Sequence, residues 1–406
     1  MKIIVIGGGA AGFFGAITCK AFDPEAEVYI LEKTNKLLSK VKVSGGGRCN
    51  VTHACFDNNV LLKNYPRGHK ELRKTFQQFS TKDTIAWFQS RGVKLKTEAD
   101  GRMFPVSDSS ESIIECLVSE ATMLGVKIWQ QQSVKAINPE ATGFSIYTDS
   151  DKPIFADKVL IATGGSPQLS GYHWLGKTKH TIVSPLPSLF TFNSPDNEYK
   201  DLMGVAIPNA FIRIAGTSFV QSGPLLITHW GFSGPAILKL SAWAARDLAA
   251  KNYQFKVLVN WIGEEYSETS LRAYLDVFKN ENGKKIIPSN QLFGLAQRLW
   301  KKLCAHADIS EELRWSEIPK KQFNKLIDNL LNTTFEIKGK TTFKEEFVTA
   351  GGINLQEINL ETLESKLHKG LYFAGEIIDV DGITGGFNFQ NAWTTGYLAG
   401  KNISEL

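Results

Sequence analysis

The strongest constraint on the fold is a glycine pattern directly after the first apolar segment. Residues Lys2–Ile6 form a short, mostly β-branched run that is typical of a buried parallel strand. Gly7, Gly9 and Gly12 then match G-x-G-x-x-G, and the next run, 10–22, predicts a helix. Such glycines allow a tight turn, a close approach of the backbone to a pyrophosphate and close packing of the helix. The sequence therefore predicts an α/β domain that binds a dinucleotide where this helix begins.

An acidic residue after the second apolar run agrees with this prediction. Glu32 follows Gly12 by twenty residues and closes the run 28–31. Its carboxylate can accept hydrogen bonds from ribose hydroxyls, and its negative charge disfavours a 2′-phosphate. The alternative is a glycine-rich turn in another kind of α/β protein, because the glycine motif alone is weakly specific.

Length and charge restrict the remaining classes of protein. With 406 residues the chain exceeds one ordinary hydrophobic core, so two or three domains are expected. The net charge of +5 is spread thinly without a long basic run, which is no strong indication of nucleic-acid binding. No apolar run approaches the roughly 18 residues of a membrane-spanning helix, so we expect no membrane association. The oligomeric state stays open.

The cysteines indicate a reducing compartment. The five cysteines lack C-x-x-C or metal-ligand spacing, so neither a redox disulfide pair nor a metal site is expected. The nucleotide-binding strand begins at Lys2, which argues against a cleavable signal and for a cytoplasmic protein. We expect Cys49 to be a plain buried thiol rather than a redox group.

Three further segments place small residues where a ligand can approach the backbone. Residues 44–50 contain three consecutive glycines beside Arg48, the apolar run 159–162 ends in Thr-Gly-Gly, and the run 371–374 ends in Gly-Glu. A glycine pair at 385–386 then precedes a last predicted helix, about 387–400, whose N-terminus can stabilise negative charge on a bound ring. Val134 lies in a predicted strand, 133–137.

A change of pattern near 184–209, where prolines crowd the chain, predicts an inserted region. We expect residues 1–189 and 335–406 to form a discontinuous nucleotide-binding domain. The insertion, 190–334, is expected to be β-rich over about 190–262 and helical over about 263–334. Within it, the stretch 228–235 is expected to open a helix with Ser233 as its cap.

In order, these segments resemble flavoproteins with two dinucleotide-binding domains and, more narrowly, the BaiN-like (YhiN-like) family of FAD-dependent oxidoreductases. The resemblance rests on the stretches 44–50, 101–105, 228–235 and 375–388, and it extends over the whole chain. It implies a Rossmann-like FAD-binding domain with an inserted β-barrel-like and helical region. It also implies that FAD binds non-covalently in an extended form and that the insertion caps the flavin.

The resemblance also implies which residues bind the cofactor. Glu32 and Lys33 would meet the adenosine ribose and Val134 the adenine. Many related flavoproteins have Gly-Asp where this chain has Gly375-Glu376, so either Glu376 or Asp379 would make the ribityl contact. The full set comprises Gly7, Gly9, Ala10, Ala11, Gly12, Glu32, Lys33, Ser44, Gly45, Gly46, Arg48, Cys49, Asn50, Val134, Thr163, Gly164, Gly165, Gly375, Glu376, Asp379, Gly386, Phe387 and Asn388.

Arg48, His229 and Asn388 are candidate catalytic residues, and Arg102 is a further candidate ligand contact. Arg48 would bind a phosphate or carboxylate, with a structural ion pair as the alternative. His229 would relay protons or else support a turn. Asn388 would hydrogen-bond the flavin ring or a substrate, or else cap a helix.

The predicted function is hydride transfer between bound FAD and a small-molecule substrate. No second G-x-G-x-x-G follows a strand, so NAD(P)H is expected only as a transient electron donor. Two alternatives stay open. A flavin-dependent RNA-modifying enzyme would show salt-dependent RNA binding, and a non-catalytic FAD-fold binding protein would hold a flavin that no metabolite reduces.

Overall fold

The computed structural model describes residues 1–150, 152–195, 199–342 and 348–405, and the chain divides into two units. Unit 1 comprises Met1–Ser188 and Phe343–Leu406, and unit 2 comprises Leu189–Thr342. The strands of unit 1 before unit 2 are β1 (Lys2–Ile6), β2 (Glu27–Leu31), β3 (Thr52–His53), β4 (Leu95–Thr97), β5 (Arg102–Pro105), β6 (Lys127–Trp129), β7 (Ala136–Pro139), β8 (Phe144–Tyr147), β9 (Ile154–Ala156), β10 (Lys158–Ile161) and β11 (Ile182–Pro187). Unit 2 contains β12 (Thr191–Asn193), β13 (Ala206–Ile214), β14 (Val220–Ile227), β15 (Gly231–Ser233), β16 (Gln254–Asn260), β17 (Thr333–Lys338) and β18 (Lys340–Thr341). Unit 1 resumes with β19 (Thr349–Ile353), β20 (Ile358–Asn359), β21 (Glu364–Ser365) and β22 (Leu371–Phe373).

The helices follow the same division. The α-helices of unit 1 before unit 2 are α1 (Ala10–Phe22), α2 (Ser39–Gly47), α3 (Asn58–Leu62), α4 (Arg73–Gln78), α5 (Thr81–Gln89) and α6 (Glu111–Met123). Unit 2 contains α7 (Pro235–Trp243), α8 (Ala245–Ala250), α9 (Glu268–Glu281), α10 (Gln297–His306) and α11 (Lys320–Asn332), and unit 1 ends with α12 (Phe387–Ser404). Short 3₁₀ segments occur at Leu169–Thr178, Lys200–Leu202, Trp315–Glu317, Leu355–Glu357 and Gly375–Ile377.

The main sheet of unit 1 is doubly wound and mostly parallel, which agrees with the predicted Rossmann-like domain. Its order is β20-β21-β22-β10-β1-β2-β6, and the five strands from β22 to β6 are parallel. Strand order reverses at β1, so the crevice outside the carboxyl ends of β1 and β10 is the switch point where such sheets bind ligands. The predicted first strand and first helix, Lys2–Ile6 and Ala10–Phe22, are confirmed to the residue.

Helices α1 and α12 pack closely because glycines lie between them. A Cβ atom on Gly396 would lie 2.7 Å from the Ala11 carbonyl oxygen, and one on Gly400 would lie 2.3 Å from that of Gly15. The contacts advance along both helices in the same direction, so their N-termini point to the same side of unit 1. Helix α12 begins at Phe387, nine residues before Gly396, so its N-terminus lies about 13 Å along its axis from the contact between Gly396 and Ala11.

The sheet of unit 2 closes into a barrel-like shape, which confirms the predicted architecture of the insertion. Its order is β17-β16-β13-β14-β15-β12-β18. The two end strands, β17 and β18, are joined only by Gly339, so the sheet must curve until its ends meet. The Asn193 N–H donates to the Gly339 carbonyl at 3.1 Å, and the Ser194 hydroxyl donates to the Glu336 carbonyl at 2.8 Å. Helices α9 to α11 lie between β16 and β17 in the chain, and they share the apolar core of this barrel.

Three expectations about elements are corrected. The chain does not return to unit 1 at residue 335, because Thr333–Lys338 pairs antiparallel with β16 and extends the barrel. Val134 lies in a loop before β7 rather than in a strand, since the β7–β8 ladder begins at Ala136. Ser233 belongs to β15 and does not cap α7, whose N-cap is Gly234 with a φ of 98°. Among the described residues, no helix combines the length and apolar character that crossing a membrane requires.

Candidate functional site

The predicted nucleotide-binding segments meet at the carboxyl edge of the parallel sheet. The last residues of five strands form one row across it, namely Ile6, Leu31, Trp129, Ile161 and Phe373. The segments that follow this row carry the predicted ligand contacts. Residues that are far apart in sequence, from Gly7 to Gly375, are thereby brought to one edge.

The three motif glycines of the first turn have different structural roles. Gly7 has a φ of 114°, and a Cβ there would lie 2.4 Å from the Ala162 carbonyl oxygen. A Cβ on Gly12 would lie 1.9 Å from the Gly7 carbonyl oxygen, so Gly12 is required for packing. Gly9 is the N-cap of α1, and no protein atom lies within 4 Å of its added Cβ among the described residues. The space beside Gly9 is therefore open to a ligand at a helix N-terminus, which favours phosphate.

A cavity of about 310 Å³ extends from this turn. Its volume is typical of the small end of ligand sites. The lining includes seven of the predicted contacts, which are Gly7, Glu32, Lys33, Val134, Thr163, Gly164 and Gly165. It also includes residues that the sequence analysis did not select, among them Gln132, Ser133, Ser166, Tyr172, Trp174 and Ile377. These residues belong to no motif. The sequence could have indicated them only through their positions in segments that follow the ends of the parallel strands.

Glu32 is held by the turn that it faces. One carboxylate oxygen accepts the Gly8 N–H at 2.9 Å, and the other accepts the N–H and hydroxyl of Thr34, each at 2.9 Å. A carboxylate offers about four lone-pair positions, so capacity for a ribose hydroxyl is left. Lys33 is exposed at the rim.

The predicted second glycine-rich segment interrupts α2. Ser44 leaves the helical conformation, and Gly45, Gly46 and Gly47 all have positive φ angles between 58° and 85°. An added Cβ on Gly46 or Gly47 would meet no described atom within 4 Å. These two glycines therefore leave an open strip of backbone, as expected for a ligand-facing loop.

Arg48 and Arg102 are placed in one cluster of charged groups. The Arg48 guanidinium donates to Glu98 at 2.6 Å and lies 3.9 Å above the ring of Phe104. Arg102 donates to the other Glu98 oxygen at 3.1 Å. Hydrogen bonding to Glu98 raises the pKa of Arg48, which is cationic at any physiological pH. This arrangement matches the structural ion pair that was the alternative for Arg48.

Cys49 is fully buried beside the glycine loop, with a φ of 61°. Burial raises the pKa of its thiol to about 12, so the thiolate is negligible near neutral pH. The sequence-based expectation of an inert thiol agrees with this environment.

Glu376 and Gly375 lie where β22 ends. The Gly375 N–H donates to the Thr395 hydroxyl at 2.8 Å, and its added Cβ would approach the Ala11 side chain at 2.9 Å. One Glu376 oxygen accepts the Thr349 N–H at 2.8 Å, and the other pairs with Lys40. Asp379 is half-buried and donates its N–H to the Ile353 carbonyl at 3.0 Å. Both acids are near this edge, so the choice between them for the ribityl contact stays a prediction.

The N-terminus of α12 is a second glycine-led helix start. Its N-cap residue, Gly386, has a φ of 96° and contributes no side chain to cap the helix. The Asn50 amide accepts the Gly386 N–H and donates to the Thr52 carbonyl, both at 3.0 Å. Asn388 binds both backbone groups of Gly382 at 2.8 Å, so it fastens the preceding loop instead of capping the helix.

Phe387, one of the predicted cofactor contacts, has its side chain turned into the protein. Its side chain is buried and packs edge-on against His53 at 4.8 Å between ring centroids. Its carbonyl accepts the Tyr65 hydroxyl at 2.7 Å. A contact between Phe387 and the cofactor stays a prediction.

A buried ion pair that the sequence did not reveal supports the same loop. Asp381 is fully buried and pairs with both Arg67 and the Ser188 hydroxyl. The Arg67 guanidinium also donates to Ser188 at 3.0 Å. Nothing in the sequence pairs Arg67 with Asp381, because they are 314 positions apart.

His229 lies in unit 2, in the turn between β14 and β15. Its side chain is exposed and its ring stacks edge-on against Trp230 at 4.2 Å. This geometry matches the turn-supporting alternative, and a role in proton transfer stays a prediction.

Taken together, the residues of unit 1 fit an extended dinucleotide. Open space at Gly9 suits the pyrophosphate, the cavity suits adenosine, and a second glycine-led helix start lies on the same side of unit 1. A family model described as the HI0933-like protein Rossmann domain matches residues 1–402. The chain belongs to the HI0933-like family.

Relatives and solved structures agree with this assignment. A 3-dehydro-bile acid delta(4,6)-reductase from Clostridium scindens is 30% identical over 415 residues, covering 100% of this chain and 99% of the relative. A ribosomal RNA dihydrouridine synthase from Escherichia coli K12 is 28% identical, covering 98% and 97% of the two chains. The structure of 3-ketosteroid delta1-dehydrogenase from Sterolibacterium denitrificans has a TM-score of 0.51 at 12% identity and covers 99% of each chain, which supports the fold alone. This HI0933-like protein is an FAD-dependent oxidoreductase.

Proposed function

We propose that this HI0933-like protein reduces a carbon–carbon double bond conjugated to a carbonyl group in a small molecule. The observation that carries the proposal is the chemistry shared by two relatives that match over nearly their whole length. The name of one denotes reduction of ring double bonds in a 3-dehydro steroid. The name of the other denotes formation of dihydrouridine, which is uridine with a saturated ring bond.

Bound FAD supplies the hydride chemistry, and the chain supplies position and charge. The open backbone at Gly9 holds the pyrophosphate, and Glu32 orients the ribose. The glycine-led N-terminus of α12 places partial positive charge where negative charge develops on a bound ring. The inert Cys49 supports direct reduction over disulfide chemistry. Reduced nicotinamide is proposed as a transient donor.

Anaerobic spectroscopy tests this proposal. The purified protein is mixed with NADH or NADPH while the visible flavin band is followed, and a panel of cyclic enones is then added. Bleaching by a nicotinamide and recovery of the band with an enone are expected. A bound flavin that bleaches but is not reoxidised by any enone contradicts the small-molecule proposal. A flavin that neither nicotinamide bleaches contradicts the proposed donor.

A second candidate, reduction of uridine in RNA, is favoured by the full-length similarity to a ribosomal RNA dihydrouridine synthase. It predicts that uridine-containing ribosomal RNA fragments, and not enones, reoxidise the reduced protein. The product would gain the mass of two hydrogen atoms per modified uridine. Binding would weaken steeply with salt, because phosphate contacts release counterions. RNA that neither binds nor gains mass would exclude this candidate.

A further inference from the structure

One wall of the cavity in unit 1 has no role in the proposed function. It is formed by the stretch 166–174, which leaves the end of β10 and enters the 3₁₀ segment Leu169–Thr178. Within the cavity, this wall shares the space with Glu32 and Val134. An aromatic side chain, Trp174, is its largest member.

The wall is built so that the indole of Trp174 is held in one orientation. Its Nε1–H donates to the Gly171 carbonyl at 3.1 Å, which satisfies the one polar group of the ring. The neighbouring Tyr172 is almost fully buried, and its hydroxyl accepts the Ser166 N–H at 3.2 Å. The half-buried indole therefore offers an apolar π surface to the cavity and needs no further hydrogen bond.

The remainder of the lining fits a flat neutral ring beside a ribose. The charged side chains of the lining, Glu32 and Lys33, both follow the end of β2, where a ribose is expected. Val134 and Trp174 supply apolar surface in the same cavity. Adenine is flat and uncharged, so an aromatic surface stabilises it through stacking and burial.

We propose that Trp174 contacts the adenine ring of the cofactor and makes the site select an adenine dinucleotide over flavin mononucleotide. The inference rests on FAD binding within the proposed function, and it does not depend on the substrate. Base–aromatic stacking is strong enough that loss of the indole is expected to weaken adenine binding roughly 5- to 150-fold.

The test uses the full-length protein freed of flavin and titrated with ADP, FMN and FAD. Tryptophan fluorescence and calorimetry give the dissociation constants. ADP is expected to quench the wild-type fluorescence. W174A is expected to raise the Kd of ADP and of FAD by a similar factor while leaving that of FMN unchanged. W174F keeps an aromatic ring and is expected to restore most of the affinity.

The matched control is W243F, since Trp243 ends α7 in unit 2 and does not line the cavity. It is expected to bind all three ligands as the wild type does. W174L keeps an apolar side chain without a ring, and it replaces W174A if that variant does not fold. Wild-type affinity of W174A or W174L for ADP would overturn the proposal, as would an equal loss of FMN binding.

The outcome is separable from that of the proposed function. If Trp174 does not contact adenine, the variants still bind ADP normally and the flavin is still reduced and reoxidised. If the protein does not reduce a double bond, the reoxidation assay fails while the pattern of ADP affinities stays as expected.

Discussion

The proposed adenosine end of the site, with Gly9, Glu32 and the cavity, and its proposed ring end, with residues 44–50 and 382–388, differ in how much space their side chains leave for a ligand. At the adenosine end, space is left for a ligand beside Gly9 and in the cavity next to Glu32. At the ring end, the amides of Asn50 and Asn388 hydrogen-bond to backbone groups of the protein. Arg48 is likewise occupied by Glu98.

The difference suggests that the ring end is a scaffold of loops held in place by polar side chains. We expect such a scaffold to present mainly backbone to a flavin, including the start of α12 and the strip at Gly46 and Gly47. Preorganised backbone dipoles lose little free energy to reorganisation during a reaction. Substitutions at the two ends should therefore differ in their effects on stability and on FAD binding.

The largest effect is expected from the buried ion pair beneath the ring end. Replacing Asp381 by Ala leaves the buried Arg67 charge uncompensated, which costs about 3–5 kcal/mol of unfolding free energy. Denaturant titration measures this. The control K74A breaks the exposed Lys74–Glu361 pair and should cost at most about 1 kcal/mol. Equal losses in the two variants would show that the buried pair does not support the loop.

The next largest effect is expected at Gly12, and Gly9, three residues earlier at the adenosine end, provides the comparison. G12A forces a Cβ against the Gly7 carbonyl, so we expect about 1–3 kcal/mol of destabilisation together with loss of FAD. G9A meets no described protein atom and should fold with near-wild-type stability, yet its methyl group would occupy the space that we propose for the pyrophosphate. Thermal unfolding and FAD titration separate the two outcomes. Wild-type FAD affinity in G9A would place the phosphates elsewhere.

Much of the fold could be predicted because its signals are local. A β-branched run, a glycine motif and an apolar helix lie next to one another at the N-terminus, and the predicted bounds of β1 and α1 agree with the structure. The end of unit 2 could not be placed in this way. β17 looks like the start of a new domain, but it joins the barrel through its pairing with β16, a contact between strands more than seventy residues apart.

The candidate site was predictable where a residue type has one physical use. Glycines at positive φ and an acid after the second strand belong to this class. Side chains with several uses are harder to assign from the sequence: Arg48, Asn388 and Phe387 each form contacts within the protein, and their roles toward a ligand stay predictions. Trp174 does not belong to any sequence motif. It lines the cavity because the segment 166–174 folds over the edge of the sheet.

Asn388 tests whether the ring end is a scaffold. N388A leaves the N–H and carbonyl of Gly382 without their partner, which should cost about 1–3 kcal/mol of stability. N388D can still accept the N–H but cannot donate to the carbonyl, so an intermediate loss is expected. Denaturant titration and the rate of flavin reoxidation are measured on the same samples. Normal stability with lost turnover would instead show that Asn388 contacts the substrate or the flavin.

The smallest effect is expected from replacing Cys49. If the ring end is a scaffold, its buried thiol takes no part in the reaction. With a pKa of about 12, roughly one thiol in ten thousand is ionised at pH 8. Burial raises the pKa of both Cys49 and Cys55 and so favours the neutral thiols, and alkylation of the native protein should therefore increase as the pH rises. Half-buried Cys55 should be modified first, as mass spectrometry of iodoacetamide-treated protein would reveal. C49A should reduce and reoxidise its flavin at the wild-type rate. A large loss of rate in folded C49A would make the thiol a participant and remove the distinction between a scaffolding ring end and a ligand-facing adenosine end.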